Sequence, residues 1–424
     1  MLAGLRHDAI RRDAGPRRMR PIALVAPATL FNEHGPPRVQ VMRSIRTRRW
    51  SVVRWLIVSV AVCLATQSAA RAQTIPSKIS DADFWKLVTE FSESNGYFRS
   101  DNFVSNETTY QWVIPELLRT TSRGGVYLGV GPDQNFTYLV ALKPKIAFVF
   151  DIRRQNMLTH LMYKAIIEQS PDRAEFLSRL FARPRPQSLD TASAAQTLFA
   201  AYQAVPPDSA LARKNLTAIF DRLRRHHGFT IQGEDSSTIA YVYQTFVMFG
   251  PDITYNSNQA RPGFGRGRMP SYAELQVESD SAGSQRSYMA TEANFRTLRE
   301  LETNNLIVPI VGDFAGSKAI RSVGGYLKDR HLVVTAFYLS NVEQYLFQGD
   351  DDWRRFYQNV GTLPLDSAST FIRSVFGGMG YYAGNGGFNS YMRARQMLAS
   401  MMEQVRLFGE GKLLSYDDVI RTSR

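Results

Sequence analysis

Residues 126–151 read VYLGVGPDQNFTYLVALKPKIAFVFD, and this stretch is the strongest indication of the fold class. It opens with an apolar run that lacks polar alternation, which is typical of a strand covered on both faces in a parallel sheet. A turn containing Gly129 and Gly131 follows, and Pro132 suits the start of a helix because it has no N–H to leave unpaired. A second apolar run then ends on Asp151. The stretch therefore predicts a β-α-β unit.

A β-α-β unit of this kind commonly holds an adenosine-containing ligand. Gly129 and Gly131 would let the main chain approach the ligand, and Asp151 would accept hydrogen bonds from ribose hydroxyls. The same residues also have purely structural explanations. Glycine suits a tight strand-to-helix turn, and an acid at a strand end can cap the next helix. Both explanations stay open at this point.

The chain around this unit alternates between helical and strand patterns. Apolar spacing predicts helices over residues 81–91, 108–118 and 153–168, with Ser105-Asn106-Glu107 as a cap for the second of them. After a long helical insertion at about residues 170–305, strands are predicted at 306–311, 331–338 and 368–375, and helices at 317–328 and 341–347. This order predicts an α/β fold with a doubly wound, mostly parallel, Rossmann-like sheet.

Two features of the later chain are less regular. Within the insertion, a short strand is expected near residues 241–249. Glycine-rich loops are expected at residues 259–270 and 377–388, the first carrying interleaved arginines and the second aromatic residues. Such loops are either ordinary surface connections or segments that close over a ligand.

The first 72 residues predict export. Five arginines between residues 43 and 54 precede an apolar run at residues 56–65 and an Ala70-Arg71-Ala72 sequence. This is the order of a cleavable signal. The apolar run is shorter than the roughly 20 residues that span a bilayer. We therefore expect a periplasmic or secreted protein that begins near Gln73, with an uncleaved membrane anchor as the alternative. Met42 is an alternative translation start.

The charge of the chain is concentrated in this same extension. The 424 residues carry a formal charge of +13, but thirteen arginines and only three acids fall within residues 1–72, which leaves +3 for the rest. A nearly neutral body does not favour a nucleic-acid partner. The single cysteine, Cys63, lies in the predicted signal, so we expect neither a disulfide nor a thiol nucleophile in the remaining chain.

The arrangement resembles a class I S-adenosylmethionine-dependent methyltransferase. In this resemblance, Gly129 and Gly131 match the glycine loop, Asp151 matches the acid that holds the ribose, and Asp313, after the strand at 306–311, matches the acid near the adenine. The resemblance implies S-adenosylmethionine as cofactor. Residues 105–110, 129–138 and 151–156 are also similar to an uncharacterised bacterial protein family, which implies no activity.

Other residues refine the expected ligand. Asp133, in the first turn of the predicted helix, would compete with a bound pyrophosphate, which favours a ligand bearing an ammonium or sulfonium over a dinucleotide. The alternative is that Asp133 caps its own helix. Tyr338, Asn341 and Glu343 follow a later strand and are candidates for the methyl-acceptor side, or else helix caps.

The sequence does not predict a metal site. His226-His227 has no acid or cysteine at a metal-ligand spacing and is interpreted as a solvated helix end, and Asp350-Asp351-Asp352 as a helix start. The leading hypothesis is thus an exported methyltransferase-like protein. A non-catalytic binding or interaction module of the cell envelope is the alternative, and an exported nicotinamide-dependent oxidoreductase is a third hypothesis.

Overall fold

One six-stranded sheet forms the centre of the fold. The computed structural model describes residues 75–259, 269–376 and 394–424. The strands are β1 (Val126–Val130), β2 (Ile146–Asp151), β3 (Ile307–Val311), β4 (Val334–Ser340), β5 (Thr370–Val375) and β6 (Arg395–Ser400). Their order across the sheet is β3-β2-β1-β4-β5-β6. All neighbouring pairs are parallel except β5 and β6, which are antiparallel. The predicted α/β, doubly wound, mostly parallel fold is confirmed.

The quoted stretch forms the middle of this sheet. Val126 lies opposite Ile146, and the parallel register continues to Val130 opposite Phe150. Every residue of β1 and β2 is buried, because helices cover both faces of a parallel sheet. The helices of this first half are α1 (Asp81–Phe91), α2 (Ile114–Thr120), α3 (Gln134–Leu142) and α4 (Arg154–Glu168). The helix expected at 108–118 is confirmed with a later start, since residues 108–113 form turns and α2 begins at Ile114.

A helical insertion separates β2 from β3. Its helices after α4 are α5 (Arg173–Phe181), α6 (Ala195–Gln203), α7 (Ser209–Asp221), α8 (Gly233–Phe249), α9 (Tyr272–Val277) and α10 (Glu292–Thr303), with a π-helical turn at Arg222–His226 and 3₁₀ turns at Gly250–Asp252 and Ser257–Gln259. The strand expected near 241–249 is wrong. Buried Ile239, Val242, Tyr243 and Phe246 recur at spacings of three and four, which is the period of a helix rather than a strand.

The second half of the sheet follows the expected pattern with one addition. The helices after β3 are α11 (Ala319–Lys328), α12 (Val342–Leu346), α13 (Asp352–Val360), α14 (Met401–Gly409) and α15 (Tyr416–Arg421). Asp352 begins α13, so the acidic run is a helix start as expected. The sequence did not predict β6, which pairs with β5 from Thr370–Ser400 to Val375–Arg395.

Several predicted features lie outside the described residues. They are the export signal and Cys63 within residues 1–72, most of the loop at 259–270, and the glycine-aromatic loop at 377–388. Within the ranges that the structure does describe, no helix combines the length and the apolar character needed to cross a membrane.

Candidate functional site

A cavity of about 180 Å³ opens at the carboxyl ends of β1 to β4. The strand order reverses at this point. β2, which follows β1 in the chain, lies on one side of β1, and β4 lies on its other side. Ligands of open α/β sheets bind at this position. The residues that line the cavity and bear on its chemistry are Asn102, Glu107, Gly131, Pro132, Gln134, Asp151, Tyr255, Asp313, Ser340, Asn341 and Tyr345.

The two glycines of the turn have different roles. Gly131 lines the cavity and has φ of +79°, a conformation that favours glycine. Gly129 is not among the lining residues. A Cβ atom at Gly129 would lie 2.0 Å from Oδ1 of Asn135, so this glycine is needed for close packing of β1 against α3. The structural explanation therefore holds for Gly129, while Gly131 presents main chain to the cavity.

Asn135 holds the turn in place. Its Nδ2 donates hydrogen bonds to the carbonyl oxygens of Val130, Gly131 and Pro132 at 2.9, 3.1 and 2.8 Å. Its Oδ1 accepts a 2.9 Å hydrogen bond from the hydroxyl of Tyr127. Sequence reasoning overlooked Asn135, although a polar residue four positions after the second glycine was a visible signal. These four hydrogen bonds tie the turn to β1 and α3.

His160 also supports the turn. Its Nε2 lies 2.9 Å from the carbonyl oxygen of Gly131, and because a carbonyl only accepts, this nitrogen carries the proton. Burial lowers the pKa of His160 to about 4, so the ring is neutral at pH 7. The contact therefore positions Gly131 without adding charge to the site.

Asp151 lines the cavity and is paired with Arg153. Nε of Arg153 donates to Oδ1 at 3.1 Å, Nη2 donates to Oδ2 at 3.0 Å, and the backbone N–H of Arg153 donates to Oδ1 at 2.9 Å. A carboxylate offers about four acceptor sites, so Oδ2 keeps one for a ligand hydroxyl. Asp151 does not cap α4, whose N-cap residue is Arg153.

Asp313 faces the same cavity from the loop after β3. Its Oδ1 accepts a 2.9 Å hydrogen bond from the backbone N–H of Ala315, and among the described residues nothing donates to its Oδ2. Burial raises the pKa of its carboxyl. The loop is fixed by Glu93, whose carboxylate accepts from the backbone N–H groups of Asp313 at 3.0 Å and Ala319 at 2.9 Å. Asp313 therefore keeps an acceptor oxygen without a donor among the described residues, at the wall of the cavity.

Asp133 lies beside the cavity but does not line it. Its Oδ2 accepts hydrogen bonds from Nε2 of Gln276 at 2.9 Å and from the hydroxyl of Tyr288 at 3.0 Å, both in the insertion. It makes no capping hydrogen bond to α3. Burial raises the pKa of Asp133 to about 7. Through these hydrogen bonds, the Asp133 carboxyl links the insertion to the start of α3.

The three acceptor-side candidates are not brought together. Asn341 lines the cavity, whereas Tyr338 is buried behind it. Glu343 lies in an ion pair with Arg373, both nearly fully buried, and also accepts a hydrogen bond from Tyr357. Asn341 is thus the member of this group that can contact a ligand directly.

The structure adds Glu107, which the sequence analysis placed in a helix cap. Its side chain is 1% exposed and lines the cavity. The hydroxyls of Tyr338 and Ser374 donate to Oε2, and the hydroxyl of Ser340 donates to Oε1. The local sequence could not indicate this role, because the donors lie on β4, β5 and β6.

The described residues form no candidate metal-binding site. Across residues 75–259, 269–376 and 394–424, no cluster of three or more histidine, cysteine, aspartate or glutamate side chains is arranged to hold an ion. The interpretation of the histidine pair as solvated is wrong for His227, which is buried. Its two ring nitrogens lie 2.8 Å from Asp81 and 2.7 Å from Glu168. His226 is exposed.

Comparison with known proteins identifies a family but no activity. No curated protein matches the chain. A family model described as a domain of unknown function, DUF7790, matches residues 102–245 and 251–418. The matched region includes β1 to β6, and it also contains the three segments that are similar to an uncharacterised family. Since the model matches more than half of the sequence, the chain belongs to the DUF7790 family.

Proposed function

We propose that this protein binds an adenosyl compound, with S-adenosylmethionine as the expected ligand, in the cavity at the carboxyl ends of β1 to β4. The observation that carries the proposal is the meeting of Gly131, Asp151 and Asp313 around one opening. The sequence predicts that Gly131 brings main chain close to the ligand, that Asp151 binds the ribose and that Asp313 lies near the adenine. Their presence on three separate segments of one cavity wall supports the proposal.

The free hydrogen-bonding capacity of the site fits this ligand. Oδ2 of Asp151 retains an acceptor position suited to a ribose hydroxyl, and Oδ2 of Asp313 is open to an amino group such as that of adenine. The main chain at Gly131 carries no side chain that would hold a ligand away. Phe98 and Tyr345, with ring centroids 5.5 Å apart, supply apolar surface for a planar ring.

Methyl transfer is the reaction we propose for such a ligand. The methyl group would pass from the sulfonium sulfur to an acceptor nucleophile and leave S-adenosylhomocysteine. This chemistry depends chiefly on alignment of donor and acceptor, to which a turn held by Asn135 and His160 would contribute. Asn341, at the cavity wall after β4, is the residue placed to contact the acceptor.

Calorimetry tests the binding step. We expect the purified protein to bind S-adenosylmethionine and S-adenosylhomocysteine more tightly than nicotinamide dinucleotides. Replacement Asp313→Ala should weaken adenosyl binding roughly tenfold or more, because a charged hydrogen-bond partner is lost. Asp366→Ala is a matched control, since Asp366 accepts a 2.9 Å hydrogen bond from the N–H two residues on, as Asp313 does, but is not among the residues that line the cavity. Tighter dinucleotide binding would favour the oxidoreductase hypothesis.

A non-catalytic envelope module is the second candidate. It is favoured by the placement of Tyr338 and Glu343, which are engaged in buried contacts instead of facing an acceptor. Incubation with methyl-labelled S-adenosylmethionine and an envelope extract separates the two candidates. Label that enters extract components with the wild-type protein, but not with Asp313→Ala, supports transfer. Binding without transfer supports the module.

A further inference from the structure

Glu107 is a buried carboxylate whose hydrogen-bond donors are all neutral. The hydroxyl of Tyr338 donates to Oε2 at 2.7 Å, the hydroxyls of Ser340 and Ser374 complete the close contacts, and Nε2 of Gln396 lies 3.5 Å from Oε2. Both carboxylate oxygens accept, so neither requires a proton to satisfy its neighbours. The arrangement can therefore accommodate the ionised form.

No cation in the described part of the chain forms an ion pair with Glu107. Other buried carboxylates at comparable depth do have such partners. The pairs are Asp151 with Arg153, Glu168 with Lys164, and Glu343 with Arg373. A buried negative charge without a positive partner is unfavourable relative to the same charge in water. Burial accordingly raises the pKa of the Glu107 carboxyl, despite the hydroxyl donors.

Two other buried acids also lack an ion pair, but they do not line the cavity. Asp133 and Glu302 are also unpaired with a cation among the described residues, yet neither lines the cavity. Glu107 does line it, and it accepts a hydrogen bond from Ser340 at the end of β4. A cation entering the cavity would therefore meet this carboxylate in a site sheltered from water, where attraction between charges is strongest.

We propose that Glu107 is the counter-ion for a compact organic cation, a sulfonium or an ammonium group, carried by the small molecule that fills the cavity. For adenosyl ligands this inference rests on the proposed function. It assigns to Glu107 the preference for a cationic ligand that the sequence analysis attributed to Asp133. The adenosyl part is then held by Gly131, Asp151 and Asp313, and the charged part by Glu107.

Three ligands of graded charge test the assignment by calorimetry. S-adenosylmethionine carries a sulfonium and an ammonium, S-adenosylhomocysteine only the ammonium, and 5′-methylthioadenosine neither. Glu107→Gln keeps the size of the side chain and removes its charge. We expect it to weaken binding of at least one of the two charged ligands roughly tenfold or more, while 5′-methylthioadenosine binding stays within about twofold. Equal loss for all three ligands, or no loss for any, would overturn the assignment.

Two further variants separate charge from general damage. Glu302→Gln replaces another fully buried carboxyl group that lies outside the cavity, and it should leave all three affinities unchanged. Glu107→Asp retains the charge and should keep the preference for charged ligands even if every affinity falls. Loss of that preference in Glu107→Asp, or in Glu302→Gln, would count against a counter-ion role.

If the adenosyl proposal fails, the counter-ion role of Glu107 can still be tested with tetramethylammonium. When the wild-type protein binds none of the three adenosyl compounds, the proposed function is wrong. The counter-ion role is then decided by thermal unfolding with and without tetramethylammonium chloride, using sodium chloride at equal ionic strength as the reference. A rise in Tm in the wild type that is absent in Glu107→Gln supports the inference, and an equal response of the two proteins overturns it.

Discussion

Tyr338 donates a 2.7 Å hydrogen bond from its phenolic hydroxyl to the carboxylate of Glu107, although 231 residues separate the two in the sequence. The same hydroxyl accepts a 3.3 Å hydrogen bond from Nε2 of Gln134. The contact joins the segment before α2, the start of α3 and the end of β4. The wall of the cavity is therefore assembled from three distant parts of the chain.

Replacement Tyr338→Phe should lower the free energy of unfolding by about 1–3 kcal/mol, because it leaves a buried carboxylate with one donor fewer. Tyr163→Phe is the matched control. Tyr163 is fully buried as well, but its hydroxyl has no partner among the described residues, so its loss should be neutral or stabilising. Urea unfolding of both variants measures the difference. Equal destabilisation by the two substitutions would contradict this role of the Tyr338 hydroxyl.

Replacement Gly129→Ala should destabilise the protein by about 1–3 kcal/mol through overpacking. The new methyl group would lie 2.0 Å from Asn135 Oδ1 and 2.7 Å from Cε1 of Tyr127. Gly325→Ala, in α11, provides the comparison, since nothing lies within 4 Å of its added Cβ. That change should be neutral or should stabilise by up to about 1 kcal/mol, as expected for alanine in a helix. Denaturant midpoints give both values, and a harmless Gly129→Ala would refute the packing argument.

Replacement Glu343→Gln should destabilise the fold by about 3–5 kcal/mol, because Arg373 would keep its charge in a buried site without a counter-ion. Ligand affinity measured on the folded fraction should not change, since Glu343 does not line the cavity. Glu116→Gln breaks the exposed pair with Arg119 and should have no measurable effect on stability. If Glu343→Gln instead weakened binding at unchanged stability, Glu343 would belong to the site after all.

The stability of the protein should depend on pH through Asp133. Its pKa is about 7 in the folded state and 3.8 without burial, so between these values the folded state binds a proton that the unfolded state releases. The free energy of unfolding therefore falls as pH rises from about 4 to 7, by up to about 1.4 kcal/mol per pH unit from this group. Below pH 4 both states are protonated, and the contribution vanishes.

Asp133→Asn isolates this contribution. An asparagine Oδ1 can still accept from Gln276 and Tyr288, but it does not titrate. Unfolding in urea at several values between pH 4 and 7.5 should show a flatter profile for the variant, with its advantage over the wild type growing as pH increases. Parallel profiles would mean that Asp133 does not titrate in this range.

The central β-α-β unit was predictable because its signals are local. Val126–Val130 and Ile146–Asp151 are uninterrupted apolar runs, and the turn between α3 and β1 contains residues with strong conformational preferences. Short elements with weak patterns were not predictable. Arg395–Ser400 has only three buried residues in a row, and it becomes a strand because β5 offers an unpaired edge.

Only those residues of the candidate site that belong to a sequence motif were predictable. Gly131 directly follows β1, Asp151 ends β2 and Asp313 lies two residues after β3, so the topology brings them to one cavity. Glu107 could not be identified, because its environment is made by hydroxyls on β4 and β5. Asp133 was recognised as unusual, but the sequence could not show that it points to Gln276 in the insertion.

A crystal structure of the protein with S-adenosylhomocysteine would show whether the cavity holds the adenosyl group. We expect the adenosyl group in the cavity between β1 and β4, with ribose hydroxyls against Asp151, the adenine toward Asp313 and main chain of the Gly131 turn beside the ligand. A cavity that stays empty at saturating ligand, or a ligand bound elsewhere on the molecule, would contradict the account.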